Sequence, residues 1–333
     1  MTSIITIKSR NLTVLAYDEV HNMMLYVDKQ TSGDTICGYD FTSTENKCFT
    51  KGNGRHIHGL AYDPVTELVF FTDTYERSVN WITLKTESKN IVNGTILLDD
   101  GIPRAIVVDS CKGYIYWLNT NVGIPTIERA RLNGTEREVI EIVNAIPADK
   151  NYYLEPHSLA IDQQKESIYW MEPKSTTLYQ LYAAELNRKH KKAAIAYGPI
   201  SDPVLVSPLN LLTVSKNYVL LVDFTNDVRK IHTFTKDFRI VENSFSAHGK
   251  TIPVCIVANY KIKDQIQGIQ HCDALNRVQD AMEKYDGLFC IHGIKVNDQS
   301  LCKCFPGYTG LRCETSLCMN YCFQGRCRLS NAG

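Results

Sequence analysis

Acidic residues recur in this sequence at positions where a ring of carboxylates could bind a cation or catalyse hydrolysis. Short apolar or aromatic segments end at Asp28, Asp73, Glu172 and Asp223. Carboxylate oxygens are preferred ligands of Ca²⁺, so a calcium-binding or catalytic ring is one interpretation. An acid that recurs once per repeat is better explained as a group that forms hydrogen bonds in the turns and between the blades. We therefore predict no catalytic residue, no metal site and no cofactor.

Two histidines, His56 and His58, alternate along a predicted strand and so share one of its faces. Imidazole nitrogens bind zinc, but no third ligand stands at a spacing that would complete a site. We interpret both as ordinary strand histidines.

The segments that carry the acids belong to an internal repeat. An apolar segment ending in an acid is followed ten residues later by the end of a second, aromatic-rich segment. The paired ends are Asp18 and Asp28, Asp63 and Asp73, Asp109 and Asn119, Asp162 and Glu172, and, in a weaker fifth copy, Thr213 and Asp223. The copies are 45, 46, 53 and 51 residues apart, a period typical of four-stranded propeller blades. We predict an all-β propeller in which the rings of Tyr116, Trp117, Tyr169 and Trp170 fill the space between blades.

Charge and composition exclude other classes of protein. The 36 basic and 36 acidic residues cancel and are interspersed, which argues against nucleic-acid binding. The 44% hydrophobic content is enough for a sizeable core and argues against intrinsic disorder.

Cysteine is concentrated near the end of the chain. Nine of the 12 cysteines lie in the last 79 residues, a density typical of disulfide-stapled modules from an oxidising compartment. No run of 18 apolar residues and no signal-like N-terminal segment is present. We expect that the signal peptide and a C-terminal transmembrane segment are both missing from this chain.

A helix is predicted between the propeller and the cysteine-rich tail. Apolar residues spaced by three or four positions from Ile269 to Tyr285 share one helical face, and Gly287 supplies a stop. We expect this face to pack against the propeller or the next module.

The repeat motif resembles a known family. LAYD followed by LYVD, FFTD or a YW pair is similar to the YWTD, or LDL-receptor class B, repeat. This resemblance implies a six-bladed propeller, whose sixth blade would combine a strand near residues 4–8 with strands at 228–234 and 238–245. It also implies that a Boca/Mesd-type chaperone assists folding.

The tail resembles EGF-like modules. The segment from Cys302 to Cys313 matches the C-x-C-x2-G-aromatic-x-G-x2-C ending of such a module, and a second module begins at Cys318. The resemblance implies the disulfides Cys290–Cys302, Cys304–Cys313 and Cys318–Cys327, without calcium. Cys255–Cys272 is then the natural separate bridge, and Cys111 and Cys322 are left unpaired. A hairpin would bring Cys37 and Cys48 within bonding distance, so we predict that bridge too.

These observations give four domains: a propeller at 1–258, a linker with the helix at 259–289, a first EGF-like module at 290–314 and the start of a second at 315–333. The order, with the motifs at 59–64, 107–140 and 318–327, is similar to a family of insect single-pass type I membrane proteins that act in male and female germ-cell development. That resemblance implies an extracellular, non-catalytic ectodomain that binds an unknown protein ligand and no nucleic acid. The alternatives are a calcium-dependent propeller hydrolase and a secreted adhesive protein without a dedicated ligand.

Longer periods in the third and fourth copies place extra residues in two segments, which we assign to 144–155 and 190–203. Loops on rigid scaffolds often carry binding residues. Tyr152 and Tyr153 are therefore candidate contact residues for a protein partner, because tyrosine is enriched at interface hot spots. Capping of blade edges is the alternative role for these residues.

Glycosylation is predicted at the sequons that begin at Asn11, Asn93 and Asn133, two of which contain an Asn-Gly pair typical of exposed turns. The chain secreted from insect cells should lose mass on enzymatic deglycosylation. An unchanged mass would contradict this prediction and weaken the extracellular assignment.

Overall fold

The computed structural model describes residues 12–29, 32–50, 54–84, 93–98, 101–120, 124–147, 153–154, 157–175, 178–186, 191–196, 212–225, 228–241, 245–248, 256–258, 260–269, 272–284, 293–295, 302–306, 308–309, 313 and 315–316.

Within these residues the chain forms an all-β propeller with five four-stranded antiparallel blades, each with its strands in chain order. Blade 1 contains β1 (Leu12–Asp18), β2 (Met23–Asp28), β3 (Thr35–Asp40) and β4 (Asn46–Cys48). Blade 2 contains β5 (Ile57–Asp63), β6 (Leu68–Asp73), β7 (Ser78–Thr83) and β8 (Asn93–Leu98). Blade 3 contains β9 (Ile102–Asp109), β10 (Tyr114–Thr120), β11 (Thr126–Arg131) and β12 (Glu138–Ile142). A short hairpin, β13 (Ile146–Pro147) and β14 (Tyr153–Leu154), leads to blade 4, which contains β15 (His157–Asp162), β16 (Ser167–Ser175), β17 (Leu178–Glu185) and β18 (Lys191–Ala196). Blade 5 contains β19 (Leu212–Val214), β20 (Tyr218–Thr225), β21 (Val228–Thr235) and β22 (Phe245–His248).

Two strand assignments from the sequence are wrong. Residues 228–234, expected in a sixth blade, form the third strand of blade 5. Of the segment expected at 238–245, Ile240 forms an isolated bridge with Phe234 of that strand, and Phe245 begins the fourth strand of the same blade. The segment 190–203, expected as an insertion, contains β18, the fourth strand of blade 4. The repeat motif marks only the first two strands of a blade, which explains both errors.

The core lies between blades. Adjacent residues of a second strand lie on opposite faces of their blade and pack against different neighbouring blades. On β10, Trp117 packs with residues of blade 2, whereas Tyr116 packs with residues of blade 4. On β16, Trp170 packs toward blade 3 and Tyr169 toward blade 5. All four side chains are at most 2% exposed. Because side chains alternate across a strand, one aromatic pair fills two interfaces, as predicted.

Asn93-Gly94 is not a turn, in contrast to the expectation from its sequence. Both residues lie on β8, where Gly94 pairs with Trp81 of β7. A Cβ at Gly94 would lie 2.7 Å from Nε1 of the Trp81 indole, so this glycine makes room for a buried ring. Asn133-Gly134 does form a turn, with Gly134 at a φ of +83°.

Among the described residues, two helices follow the blades: α1 (Ile262–Gln265) and α2 (Asp273–Lys284). α2 coincides with most of the predicted helix but begins four residues after Ile269. Together with their flanking residues they form a unit that we call the clamp (residues 260–269 and 272–284). Its apolar side packs on the propeller through Ile262, Cys272, Leu275 and Val278, which are at most 2% exposed.

The clamp contacts the turn between the first and second strands of every described blade. Glu19 of blade 1 accepts a hydrogen bond from the Ile262 amide at 2.5 Å, and Val65 of blade 2 packs in the same apolar cluster as Ile262. Cys111 of blade 3 is disulfide-bonded to Cys272. Polar contacts complete the set: Gln163 of blade 4 with Gln265 at 2.7 Å and Lys216 of blade 5 with Asp264 at 2.7 Å.

The Cys111–Cys272 disulfide corrects two predictions. Cys111 is not unpaired, and Cys272 does not pair with Cys255, a residue outside the described ranges. Proximity in the sequence suggested Cys255 as the partner of Cys272. Cys111 is far from Cys272 in the sequence, and only the folded propeller brings the turn of blade 3 next to the clamp.

Other cysteines agree with expectation where the structure describes them. Cys37 and Cys48 face each other across β3 and β4 and are bonded. In the tail, β23 (Gly293–Lys295) pairs with β24 (Cys302–Cys304), and β25 (Tyr308–Thr309) with β26 (Thr315–Ser316). Cys304 is bonded to Cys313, and Cys302 is also disulfide-bonded. The remaining tail cysteines, Cys290, Cys318, Cys322 and Cys327, lie outside the described residues.

In the part of the chain that is described, no helix is long and apolar enough to cross a membrane.

We expect the clamp disulfide to contribute more stability than the hairpin disulfide. It closes a loop of 161 residues, whereas Cys37–Cys48 closes one of 11. By loop-closure entropy these correspond to about 5 and about 3 kcal/mol of unfolding free energy, as upper values. Cys111→Ser/Cys272→Ser and Cys37→Ser/Cys48→Ser should be compared by urea unfolding followed through tryptophan fluorescence. A larger loss in the hairpin variant would contradict the anchoring role of the clamp.

Candidate functional site

A central cavity of about 190 Å³ lies on the axis of the propeller. The first strand of each described blade lines it, through residues 15–17, 60–62, 106–108, 159–161 and 212–214. Residues 256–258, which follow blade 5, line it as well. The wall is therefore made of six short, mainly apolar segments.

The clamp covers one end of this cavity. Tyr260, Ile262 and Gln265 line the cavity together with Glu19 and Gln163 from the blade turns. Burial raises the pKa of the Glu19 carboxyl. A partner that reaches the first strands must therefore approach from the opposite face, which carries the turns between second and third strands and the connections between blades.

A buried ion pair fixes the clamp edge. Lys236 of blade 5 lies 2.5 Å from Asp162 of blade 4, and both side chains are at most 5% exposed. The Lys236 ammonium also lies 5.0 Å from the ring centre of Tyr260 in the clamp. Burial and the neighbouring Asp162 raise the pKa of the Tyr260 hydroxyl. Removal of either charge would leave the other buried without compensation.

The acids that end the first strands hold turns together. Asp18, Asp63, Asp109 and Asp162 are at most 2% exposed. Each accepts a hydrogen bond from the amide three residues ahead, at His21, Thr66, Lys112 and Lys165, over 3.0–3.2 Å. The residue after that amide has a positive φ in every case: Asn22, Glu67, Gly113 and Glu166. The recurrence of these acids therefore follows from one turn geometry that every blade needs.

Acids at the ends of the second strands also accept hydrogen bonds. Asp73 accepts hydrogen bonds from the amides of Tyr75 and Glu76 at 3.0 and 3.2 Å. Glu172 accepts one from the Trp170 indole at 2.7 Å and one from Asn144 at 2.9 Å. Asp28 ends β2 and lies across from Thr35, and Asp223 lies on β20. Among the residues that the structure describes, no three His, Cys, Asp or Glu side chains group as a metal site.

His58 lies on β5, and a neighbouring arginine binds its ring. Arg104 Nη1 is 3.2 Å from His58 Nδ1, and Arg104 Nε donates to the Thr120 hydroxyl at 3.0 Å. Burial, Arg104 and Lys29 lower the pKa of His58 to about 3. The imidazole is therefore neutral and accepts the hydrogen bond. His56 precedes the strand, is exposed, and lies against the ring of Tyr75 at 5.8 Å.

Of the two predicted partner-contact residues, the structure describes the backbone of Tyr153 only. Tyr153 begins β14, in the connection between blades 3 and 4, and Tyr152 lies outside the described residues. Of the glycosylation sites, Asn93 is exposed and the Asn133 side chain accepts hydrogen bonds from Thr135, whereas Asn11 lies outside the described residues.

Sequence reasoning missed the most exposed apolar residues of this face. Tyr75 is 71% exposed in the turn after β6, and Ile124 is 64% exposed in the turn before β11 of the next blade. The sequence feature that could have identified Tyr75 is its position, two residues after an acid that ends a strand. The Arg104–His58 contact had no such signal, because the two residues are 46 positions apart.

The described residues thus define an all-β propeller with a helical clamp on one face. A chain of a nidogen/laminin complex is 17% identical, with a TM-score of 0.58 over 74% of this chain and 84% of that chain. TolB from Acinetobacter baumannii is 12% identical, with a TM-score of 0.54 over 72% of this chain and 54% of that chain. Regucalcin from Agrobacterium tumefaciens is 7% identical, with a TM-score of 0.52 over 75% of this chain and 78% of that chain. At these identities the likeness establishes the fold alone.

Curated homologues of the chain are named Protein cueball, which confirms the resemblance to an insect family. The Drosophila virilis protein is 26% identical over 360 residues, which cover 97% of this chain and 54% of that protein. The Drosophila grimshawi protein is 22% identical over 358 residues, which cover 97% and 56%. The chain spans about half the length of the curated relatives it matches. No family model matches the sequence.

We expect acidification to destabilise the fold through His58. Its pKa is about 6.5 when unfolded and about 3 when folded, so the unfolded state binds more protons between these values and stability falls as the pH falls. Between pH 7 and pH 5 this linkage costs about 2 kcal/mol. His58→Asn keeps an acceptor for Arg104 but does not titrate, so it should lose this part of the pH dependence in urea unfolding. The exposed His56→Asn is the control, and an equal effect of both variants would contradict the assignment.

Proposed function

We propose that this chain is the non-catalytic, protein-binding extracellular part of a cueball-like single-pass membrane protein that acts in spermatogenesis and oogenesis. The observation that supports protein binding most directly is the pair of exposed apolar side chains Tyr75 and Ile124 on the face opposite the clamp. They belong to the equivalent turns of neighbouring blades. Exposed aromatic and aliphatic residues on a rigid scaffold are typical anchors of protein interfaces.

The proposed binding face extends from blade 1 to the connection between blades 3 and 4. It includes the β13–β14 hairpin, where Tyr153 lies, and thus the segment that contains the candidate contacts Tyr152 and Tyr153. A partner on this face meets loops from several blades held at fixed positions, so little loop ordering opposes binding.

We further propose that the ring has six blades. Residues 256–258 line the cavity at a sixth position, and the Ala258 amide donates to the Thr213 hydroxyl of blade 5 at 3.0 Å. Val257 packs with Leu15 and Tyr26 of blade 1. Tyr26 holds the position on its strand that Trp117 and Trp170 hold on theirs, and those side chains pack against the preceding blade. Val257 therefore supports a sixth blade between blades 5 and 1.

The non-catalytic assignment is supported by the roles of the acids. Two of the carboxylates that could form a ring accept hydrogen bonds from nearby groups: Asp73 from the amides of its own turn, and Glu172 from the Trp170 indole and Asn144. The alternative is a calcium-dependent hydrolase, for which the likeness to regucalcin supplies a fold but no residues. Assay of the purified chain with lactone and ester substrates, with and without Ca²⁺, separates the two, and turnover above the uncatalysed rate would favour the enzyme.

The cellular setting is proposed from the cueball homology. Disulfides such as Cys111–Cys272 are compatible with an oxidising, extracellular location. We propose that a membrane anchor lies outside this chain, that the sequons carry glycans and that a Boca/Mesd-type chaperone assists secretion. The remaining alternative is a secreted adhesive protein.

The binding face is tested with labelled chain on dissociated insect gonad cells, measured by flow cytometry. Tyr75→Ser/Ile124→Ser should lower cell-surface binding by at least ten-fold, because it removes the two apolar anchors. Tyr218→Ser, at a 39% exposed tyrosine on the clamp side, is the matched control and should bind normally. Equal binding of the two variants would rule out the proposed face.

A further inference from the structure

A cleft of about 220 Å³ lies between blades 4 and 5, at the end of the blades that carries the clamp, and is separate from the central cavity. It is lined by residues of the segments 165–169, 183–185 and 236–238, which belong to the turn before β16, to β16 and β17, and to the turn after β21. A cavity of about 150 Å³ in another protein holds a benzene molecule, so a molecule with a single ring fits this cleft.

The cleft contains a hydrogen-bond donor that the protein itself does not use. Tyr169 lines the cleft, is 2% exposed, and has no hydrogen-bond partner for its hydroxyl among the described residues. Burial and the carboxylates of Asp162 and Asp237 raise the pKa of this hydroxyl, so it stays protonated and can donate. Because an unpaired polar group in a buried position is costly, a ligand oxygen that accepts this hydrogen bond is favoured.

The apolar part of the cleft is held in place before any ligand arrives. The ring of Phe238 lies edge-on to that of Tyr169, with 6.0 Å between the ring centres. The Phe238 amide donates a hydrogen bond to the Thr235 carbonyl at 2.8 Å, which fixes the turn that carries this ring. Ala183 of β17 belongs to the same apolar cluster, and its small side chain leaves room beside the two rings. A preformed apolar site of this kind binds a ring with little loss of side-chain entropy.

The charges around the cleft favour a neutral ligand. Lys236 is paired with Asp162 at 2.5 Å, and Lys165 with Asp237 at 3.4 Å, so both ammonium groups already have a carboxylate partner. The two carboxylates that raise the pKa of the Tyr169 hydroxyl also oppose an anionic acceptor at the same position. The two ammonium groups oppose a cation in the same way.

We propose that this cleft is a binding site for a small neutral molecule that combines one apolar ring with a carbonyl or hydroxyl oxygen. The ligand ring packs against Phe238 and Ala183, and the oxygen accepts a hydrogen bond from the Tyr169 hydroxyl. Such a ligand contacts blades 4 and 5 together, beside the buried ion pair at the clamp edge, and so stabilises the folded chain by mass action. The site lies apart from the proposed protein-binding face and does not depend on it.

The test uses four probes that share a benzene ring: acetanilide with a neutral carbonyl, ethylbenzene without an acceptor, phenylacetate with an anion and phenethylammonium with a cation. Each is titrated into the wild-type chain, and binding is measured by NMR of carbon-13-labelled alanine methyl groups. Acetanilide should bind about five-fold more tightly than ethylbenzene, as one hydrogen bond provides, and should shift the signals of Ala183 and Ala184. Absence of binding at millimolar concentrations, tightest binding of a charged probe, or shifts confined to other alanines would overturn the inference.

Variants then identify the hydrogen-bond donor. Tyr169→Phe removes only the hydroxyl, so acetanilide should bind this variant no more tightly than ethylbenzene does. The urea midpoint of Tyr169→Phe should not fall, because the hydroxyl has no partner to lose among the described residues. Tyr116→Phe, at the equivalent position on blade 3, is the matched control and should keep the preference for acetanilide. A preference that survives Tyr169→Phe, or that is lost equally in both variants, would contradict the assignment of Tyr169.

Discussion

The alternation of side chains along each second strand is the constraint on which the propeller depends. A blade is a single sheet with two apolar faces, and it cannot bury both unless it has a neighbour on each side. The consecutive rings Tyr116 and Trp117 meet this requirement with two residues, one for each interface. Loss of a buried ring of this size costs about 3–5 kcal/mol, whereas exposed ion pairs such as Arg131–Glu136 are screened by solvent and contribute little. Ring stacking, rather than surface charge, therefore determines stability.

Residues that follow blade 5 connect the described blades to one another. Val257 packs with Leu15 and Tyr26 of blade 1, and the clamp joins the first turns of blades 1 to 5. The clamp contacts are varied in kind: an apolar cluster, side-chain hydrogen bonds, an ion pair and a disulfide. Because each blade supplies one contact, displacement of a single blade disturbs the whole set.

Local sequence patterns predicted those parts of the structure that repeat locally. Of the recurrent acids assigned to hydrogen bonds in turns, Asp73 binds the amides two and three residues ahead, which is a local contact. The third and fourth strands of blade 5 were misplaced, since they carry no repeat motif. The Cys111–Cys272 bond and the Arg104–His58 contact were not predicted, because each joins residues that only the closed ring brings together. The candidate binding face was identified from the exposure of its side chains. The spacing of residues in the sequence does not show how a turn such as that of Tyr75 is oriented.

The length of chain between Cys111 and Cys272 has a consequence for biosynthesis. Cys48 follows Cys37 by 11 residues, so their bridge can form soon after both have been synthesised. Cys272 follows Cys111 by 161 residues, which takes about 8–30 s at a synthesis rate of 5–20 residues per second. During that interval the Cys111 thiolate can attack the Cys37–Cys48 disulfide or a disulfide of another chain, which forms a mixed disulfide and releases the other cysteine as a thiolate. Correct assembly thus depends on oxidation of Cys37 and Cys48 before blade 3 emerges, or on an isomerase that resolves mispaired intermediates.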